Sequence, residues 1–298
     1  LCALSLTLPQ LSEWSPIWRK HPMTANPLIA AYKKPALYVA LPSKGKWYDP
    51  KPKLSVDGEL AVYAMSARDE LITKTPDALF NGEATVALIQ SCCPDIENPR
   101  QVPVNDLLII LLAIRQASYG NELSVDIKCT HCEAINQMAV DGNVLLSRVT
   151  ENTYDNLIKL ENGFALELTP YTIEDRTRLQ IQQVKQQAIV QQLVQAEEQG
   201  EEKMQEQFGK TFVEIAELTV ELVARCIRAV HLPEKGSEPI TEYQDIFDWL
   251  KIITKKDYDE IRNRVEQLSE NNLDTNFESK CLECGKDYKT NVELDIAG

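Results

Sequence analysis

Two Cys-x-x-Cys pairs constrain this 298-residue chain more than any other feature. The first pair is Cys129 and Cys132, and the second is Cys281 and Cys284, which Gly285 follows. Such a turn places two sulfurs on one side of a tight loop, and tetrahedral zinc needs two such pairs. Gly285 suits a backbone position with positive φ, where N–H groups can approach the sulfurs. The sequence therefore predicts one structural Zn²⁺ bound by all four cysteines.

Strand-like segments flank each pair. Residues 123–128 and 134–140 surround the first, and residues 276–280 and 287–294 surround the second. Two hairpins with cysteines at their tips are typical of a zinc ribbon. A compact ribbon usually has roughly 15–20 residues between its pairs, and this chain has many more. We therefore predict a split ribbon, residues 123–141 and 277–298, with a domain inserted between its hairpins.

Two alternatives to a zinc site remain open for these cysteines. They could be unpaired structural residues, or a redox pair of the thioredoxin kind, although that pair normally lies in a βαβ unit that this sequence lacks. His131 could replace a sulfur, but between two knuckle cysteines we expect it to face solvent. The other four cysteines, Cys2, Cys92, Cys93 and Cys226, have no regular spacing. We expect Cys92, Cys93 and Cys226 to be buried thiols, in a protein that resides in a reducing compartment.

The most apolar helix of the chain precedes the first pair. Leucine and isoleucine fill so many positions after Asp106 that the first half of the helix has no polar face, so it belongs inside a core. We expect Asn105 or Asp106 to cap the helix and Ser118 to lie near its end. Gly120 supplies the left-handed residue that ends helices.

The amino-acid composition argues against several classes of function. The formal net charge of −14 and the isoelectric point near 4.8 argue against binding to a phosphate backbone, which requires clustered Lys and Arg. No stretch approaches the roughly 18 consecutive apolar residues of a membrane span. The first residues have no basic region before their apolar run, so we expect no signal peptide.

The order of these sequence patterns along the chain predicts four structural parts. Residues 1–22 are expected to be an upstream extension, because Met23-Thr24-Ala25-Asn26-Pro27 resembles a native start. The alternative is an authentic apolar arm that docks on a neighbour. We predict that residues 23–122 form an N-terminal mixed α/β layer built on the 106–118 helix. The split ribbon then encloses a mostly α-helical insert, residues 142–276. The predicted fold class is α+β.

The insert begins with a hairpin and continues as helices. Asn162-Gly163 between two apolar runs is a strong hairpin signal. Thr172 and Asp175 resemble a capping box, and two long helices follow, of which the second is expected to include Ile227 and to end at His231-Leu232-Pro233. Two interpretations of this helical hairpin stay open: a self-contained lobe packed on the ribbon, or a projecting arm whose seam binds a partner helix.

The sequence contains no motif of a catalytic site. A Gly-rich phosphate loop, a nucleophile elbow and a metalloprotease HExxH are all missing. With three histidines in the whole chain, a histidine-based mechanism has little to work with. A four-sulfur zinc site has no open position to activate water. We therefore expect no catalytic residues and no small-molecule substrate.

Four further segments follow one another along the chain: LPSKGKWY (41–48), the strand ELAVY (59–63), ARDELITKTPDALFNGEATVALIQSC (67–92) and LLAIRQASYGNE (111–122), which runs into the first cysteine pair. Together they resemble the T4-type baseplate hub family of contractile phage tails. The likeness is in order and nearly continuous over residues 35–140. Members of this family are described as hub subunits or hub assembly chaperones.

The resemblance implies a non-enzymatic protein made in the host bacterial cytoplasm, where it binds other baseplate hub or tail proteins. An alternative of a different class is a zinc-ribbon adaptor that contacts nucleic acid or the transcription machinery. A basic stripe on the ribbon would favour the adaptor. The ribbon has one small lysine cluster, Lys280, Lys286 and Lys289, and acidic residues dilute it.

Overall fold

The computed structural model describes residues 32–74, 82–149, 155–195, 201–234, 236–271 and 273–291, without the side chains of 185–186 and 188–212 in the two long helices. The segment Pro35–Gly298 forms one compact unit. The extension predicted for residues 1–22, Cys2 and residues 292–298 of the second ribbon half lie outside the described residues.

Nine strands and eight helices occur in the described part of the chain. The strands are β1 (Leu37–Ala40), β2 (Glu59–Val62), β3 (Glu122–Lys128), β4 (Ile135–Asp141), β5 (Leu157–Lys159), β6 (Ala165–Leu168), β7 (Ile227–His231), β8 (Asn276–Lys280) and β9 (Asp287–Asn291). The helices are α1 (Ala67–Thr73), α2 (Glu83–Cys92), α3 (Val104–Tyr119), α4 (Gly142–Ser147), α5 (Ile173–Gln195), α6 (Glu201–Arg225), α7 (Tyr243–Leu250) and α8 (Lys255–Ser269). The strands form four small antiparallel sheets, β1-β2, β3-β4, β5-β6-β7 and β8-β9. The predicted α+β class is therefore confirmed.

Helix α3 runs through the first of two hydrophobic cores. Ile109, Ile110 and Leu112 are almost completely buried, and each contributes about 1.5–3 kcal/mol through its burial. The same core receives side chains from β1, β2, α2 and both cysteine-bearing hairpins. The prediction that this helix lies inside the protein is confirmed, and its packing joins the N-terminal layer to the ribbon.

The start of α3 differs from the prediction. Pro103 occupies the capping position, so neither Asn105 nor Asp106 caps the helix. The carboxylate of Asp106 instead accepts hydrogen bonds from the Ser43 N–H (2.9 Å), the Ser43 hydroxyl and the Tyr48 hydroxyl (2.9 Å). A buried acceptor with three donors from one loop ties that loop to α3. Local sequence could not show this because the donors lie about 60 positions away.

The loop between β1 and β2 reaches both cores. Tyr48 is buried in the first core, whereas the adjacent Trp47 packs against the second. Trp47 has a positive φ of 65°, a left-handed conformation that is unfavourable for a bulky side chain. The loop therefore connects the two cores, and this connection requires local backbone strain at Trp47.

The second core lies within the insert. The three-stranded sheet packs on α7, α8 and the end of α6, through side chains such as Leu166, Val223, Ile246 and Ile261. The hairpin predicted at Asn162-Gly163 is present, with Gly163 at φ 89°. This part of the chain therefore has a core of its own.

The strand β7 corrects one prediction. We expected helix up to His231, but α6 ends at Arg225 and the chain then turns, so that Ile227–His231 pairs with β6. Ile227, Ala229 and Val230 are buried in this arrangement. Burial against the sheet outweighs the helical spacing of the apolar residues, because propensity is weak beside tertiary packing.

The two long helices form the predicted hairpin. Thr172 and Asp175 make reciprocal hydrogen bonds as a capping box at the start of α5. Ion pairs then join the start of α5 to the end of α6: Arg178 to Glu221 at 2.9 Å and Arg225 to Asp175 at 2.8 Å. The helices are therefore antiparallel. Whether they act as a lobe or as a partner-binding arm stays a prediction.

Among the described residues, no helix combines the length and the apolar character that crossing a membrane requires.

Asp106 predicts a specific pH dependence of stability. Burial raises its pKa from 3.8 to about 6, against the hydrogen bonds from Ser43 and Tyr48 that lower it. Because the folded-state pKa lies above the unfolded value, protonated Asp106 stabilises the fold below pH 4, and this contribution is lost as pH rises through 6. Relative to Asp106→Asn, the wild-type free energy of unfolding should fall by roughly 2.4 kcal/mol between pH 4 and pH 7.

Urea unfolding of both proteins across this range measures the difference. Titration of the cysteines is common to both proteins and cancels. The exposed Asp126→Asn on β3 is the matched control and should run parallel to the wild type. A wild-type minus Asp106→Asn difference that stays constant or rises with pH would contradict the assignment.

Candidate metal centre

The first cysteine pair lies at the tip of the β3-β4 hairpin. These strands pair in continuous register from Glu122 opposite Asp141 to Lys128 opposite Ile135. The Cys129 N–H then donates to the Ala134 carbonyl at 2.9 Å, and the Glu133 N–H returns to the Cys129 carbonyl at 3.0 Å. This bonding folds residues 129–133 into a tight knuckle.

The second pair repeats the same knuckle on β8-β9. The Cys281 N–H donates to the Lys286 carbonyl at 3.0 Å, and the Gly285 N–H donates to the Cys281 carbonyl at 3.0 Å. Gly285 has φ 67°, as predicted, and Glu133 occupies the equivalent position of the first knuckle with φ 61°. Two hairpins of the same local geometry therefore present their cysteines toward each other.

All four sulfurs lie within 4.8 Å of one another. Cys129 Sγ is 3.9 Å from Cys284 Sγ, and Cys132 Sγ is 3.6 Å from Cys281 Sγ. A tetrahedral ion with metal–sulfur bonds of about 2.3 Å places its sulfurs about 3.8 Å apart. The four cysteines, and no other described group of His, Cys, Asp or Glu, therefore have the dimensions of a metal site.

The cluster is buried on one side and open to solvent on the other. Cys129 and Cys281 are buried, whereas Cys132 and Cys284 are exposed. Backbone N–H groups of Cys284 and Glu283 lower the pKa of the Cys281 thiol, whereas desolvation and hydrogen bonds to the other three sulfurs raise the pKa of Cys132. Stabilised thiolate is the form that binds metal. His131 is exposed, and its Nε2 lies 3.3 Å from the Asp287 carbonyl, so its ring is not among the clustered ligand atoms.

Comparison with known proteins connects this geometry with a family. A family described as T4 bacteriophage base plate protein matches residues 37–296. This range includes both cysteine pairs and both cores. The chain belongs to the T4 bacteriophage base plate protein family. No curated protein and no solved structure gives a significant match.

Membership in the base plate family confirms the resemblance seen in residues 35–140 and extends it over the insert and the second hairpin. It gives the protein a structural role in the phage tail.

Sequence reasoning missed one residue of the base plate protein that lies beside the cysteine cluster. Asn136 on β4 is 4% exposed, and its side-chain Oδ1 accepts the Leu282 N–H at 2.9 Å. Its Nδ2 lies 3.6 Å from Cys281 Sγ and 3.3 Å from the Tyr288 hydroxyl. One buried amide of the first hairpin thus binds three groups of the second. The only sequence signal was a polar residue at an inward position of the strand.

The remaining described cysteines lie outside the cluster. Cys92, Cys93 and Cys226 are buried in the two cores, as expected. Burial raises the pKa values of Cys93 and Cys226 well above that of an ordinary thiol. They are therefore packing residues and not candidate ligands or nucleophiles.

Asn136 predicts the effect of a change beside the cluster. Asn136→Ala removes the amide that donates to Cys281 and leaves the Leu282 N–H without its acceptor. Loss of such an outer partner typically weakens metal affinity by about 10–100-fold. Competition between the purified protein and a chelator, with Zn²⁺ and with Co²⁺, measures the change.

Gln137→Ala is the matched control, because Gln137 is the next residue of β4 and is exposed. It should retain wild-type affinity. Equal affinities of the two variants would show that Asn136 does not support the site.

Proposed function

We propose that this base plate protein is a non-enzymatic structural or assembly component of the tail hub, which binds other hub or tail proteins and is held together by zinc. The family match over residues 37–296 carries the proposal. We propose the host bacterial cytoplasm as its location during assembly, and the family match supports the phage tail as its location in the particle.

Zinc is the metal that best fits the cluster, and Cys129, Cys132, Cys281 and Cys284 are its proposed ligands. Four thiolates in a tetrahedron suit zinc, which has no redox chemistry and no preferred geometry of its own. A closed set of four sulfurs makes the ion structural. The binding free energy of such an ion is folding free energy.

The ion would join segments that are far apart in the chain. Cys132 and Cys281 are 149 positions apart. A cross-link that closes a loop of this length reduces the entropy of the unfolded chain by an amount worth roughly 5 kcal/mol, if the chain-entropy relation for disulfides applies. Zinc therefore stabilises the fold while fixing both ends of the insert.

Contacts at the base of the insert, where the chain enters and leaves it, support the proposal that the insert is one structural unit. Arg148 donates to the Asn276 carbonyl at 2.8 Å, and its guanidinium lies 4.2 Å from the centre of the Phe277 ring. Val149 and Leu273 form a β-bridge beside them. The chain thus enters and leaves the insert at one place. We propose the division into residues 23–122, the ribbon halves 123–141 and 277–298, and the insert 142–276 on this basis.

No observation favours the nucleic-acid adaptor. Lysines at both hairpins are engaged by glutamates: Lys128 with Glu133 at 3.1 Å and Lys289 with Glu278 at 3.0 Å. The chain carries 45 acidic against 31 basic residues. Such a surface repels a phosphate backbone.

Metal analysis tests the proposed ligands. The purified protein should contain one zinc per chain, and Cys281→Ser/Cys284→Ser should lose both the zinc and cooperative unfolding. Elemental analysis, thiol titration and thermal denaturation give the three readings. Leu282→Ser/Glu283→Ser changes the two residues between these cysteines and should keep the zinc. A zinc-free parent in which Cys129, Cys132, Cys281 and Cys284 titrate as free thiols in the folded state would exclude the site.

Co-purification tests the proposed role. When the protein is co-expressed with each tail protein of the same phage genome, at least one should elute with it in a complex of fixed ratio. Removal of zinc should abolish that complex, because the fold depends on the ion. Elution alone in every combination would contradict a structural or assembly role.

A further inference from the structure

A cleft of about 580 Å³ lies between the two cores. Its lining includes Trp47 and Lys51 from the β1–β2 loop, and Arg228 and Tyr243 from β7 and the start of α7. Clefts of this volume are typical of ligand sites. None of the four clustered cysteines lines this cleft.

Two cations of the cleft are available to a ligand. Arg228 and Lys51 are exposed, and neither has an ion-pair partner among the residues that the structure describes. Arg225, the third cation of the cleft, is already bound by Asp175 at 2.8 Å. Asp175 in turn caps α5, which leaves the exposed Asp49 as the remaining carboxylate of the lining. In a chain with a net charge of −14, the free charge of this cleft is positive.

A β-bulge directs Arg228. Ile227 pairs with Leu168 and Ala229 pairs with Glu167, so Arg228 has no partner on β6. An extra residue of this kind leaves the ladder and re-aims its side chain, and such bulges are common beside binding sites. Neighbours on both sides are buried, whereas Arg228 is exposed at the cleft.

Aromatic rings accompany the cations. Trp47 is held in a left-handed conformation with φ 65°, and strained residues often occur at ligand-binding positions. Tyr243 stacks on Phe247 with 5.9 Å between ring centres, and 39% of it remains exposed. The cleft therefore offers both positive charge and flat apolar surface.

We propose that this cleft binds an acidic peptide segment of another tail protein. Carboxylates of the peptide pair with Arg228 and Lys51, and an apolar or aromatic side chain between them packs on Trp47 and Tyr243. The identity of the partner class rests on the proposed function. Two free cations match two carboxylates, whereas nucleic acid requires many neutralised phosphates.

Peptide binding tests the inference on the intact protein. Overlapping 15-residue peptides that cover the tail proteins of the same genome are labelled and titrated by fluorescence anisotropy. The tightest binders should contain at least two Asp or Glu around an apolar residue. Arg228→Glu and Lys51→Glu should each weaken them at least tenfold, and Arg228→Gln should weaken them less.

Two lysines outside the cleft provide matched controls. Lys159→Glu changes an exposed residue of the same sheet as Arg228, and Lys46→Glu changes an exposed residue of the same loop as Lys51. Both should bind like the wild type, and all variants should keep the wild-type melting temperature within a few degrees. A peptide whose acidic residues are replaced by lysine should bind Arg228→Glu better than the wild type.

The outcomes separate this inference from the proposed function. If tail proteins co-purify with the protein and Arg228→Glu leaves those complexes intact, the cleft is not the docking site but the structural role stands. If no acidic peptide binds, or if Lys159→Glu weakens binding as much as Arg228→Glu, the inference is wrong. If no tail protein co-purifies at all, the proposed function fails as well.

Discussion

The whole architecture depends on bringing together two short chain segments that are 149 positions apart. Three sets of contacts hold these segments together. At the hairpin tips the four sulfurs lie within 4.8 Å of one another, and beside them Asn136 forms hydrogen bonds to the second hairpin. At the base of the insert, Arg148 contacts Asn276 and Phe277. The residues in these contacts are close in space but far apart in sequence, so forming the first contact costs chain entropy. Each contact therefore makes the others easier to form. One of them alone would hold the hairpins loosely, and together they define a single arrangement.

A second constraint explains how two cores can share one compact unit. The loop between β1 and β2 contributes Tyr48 to the first core and Trp47 to the second. Asp106 fixes this loop by accepting hydrogen bonds from Ser43 and Tyr48. A buried carboxylate is costly unless donors surround it, so its stability requires the loop to stay in place. The residue that we expected to cap a helix thus positions the connection between the cores.

The sequence predicted what depends on local patterns. Cys-x-x-Cys spacing, Gly285 at a positive φ and alternation along β3 are properties of a few adjacent residues, and they identified the cluster and both hairpins. The buried helix and the Asn162-Gly163 hairpin followed for the same reason. The sequence could not predict the roles of Asp106 and Asn136, whose partners are distant in the chain. It also assigned residues 227–231 to a helix, because the spacing of apolar residues does not reveal which surface will bury them.

Strand β7, which we had assigned to a helix, contributes to the lining of the cleft. That lining contains two local departures from regular geometry, Trp47 at φ 65° in the β1–β2 loop and the bulge at Arg228 on β7. A bulge and a left-handed residue persist only where their surroundings hold them. Here Asp106 holds one wall through Ser43 and Tyr48, and the buried Ile227 and Ala229 hold the other. A cleft that is fixed before its ligand arrives loses little conformational entropy on binding. Two unpaired cations on walls held in this way fit the short acidic segment proposed above without a large interface.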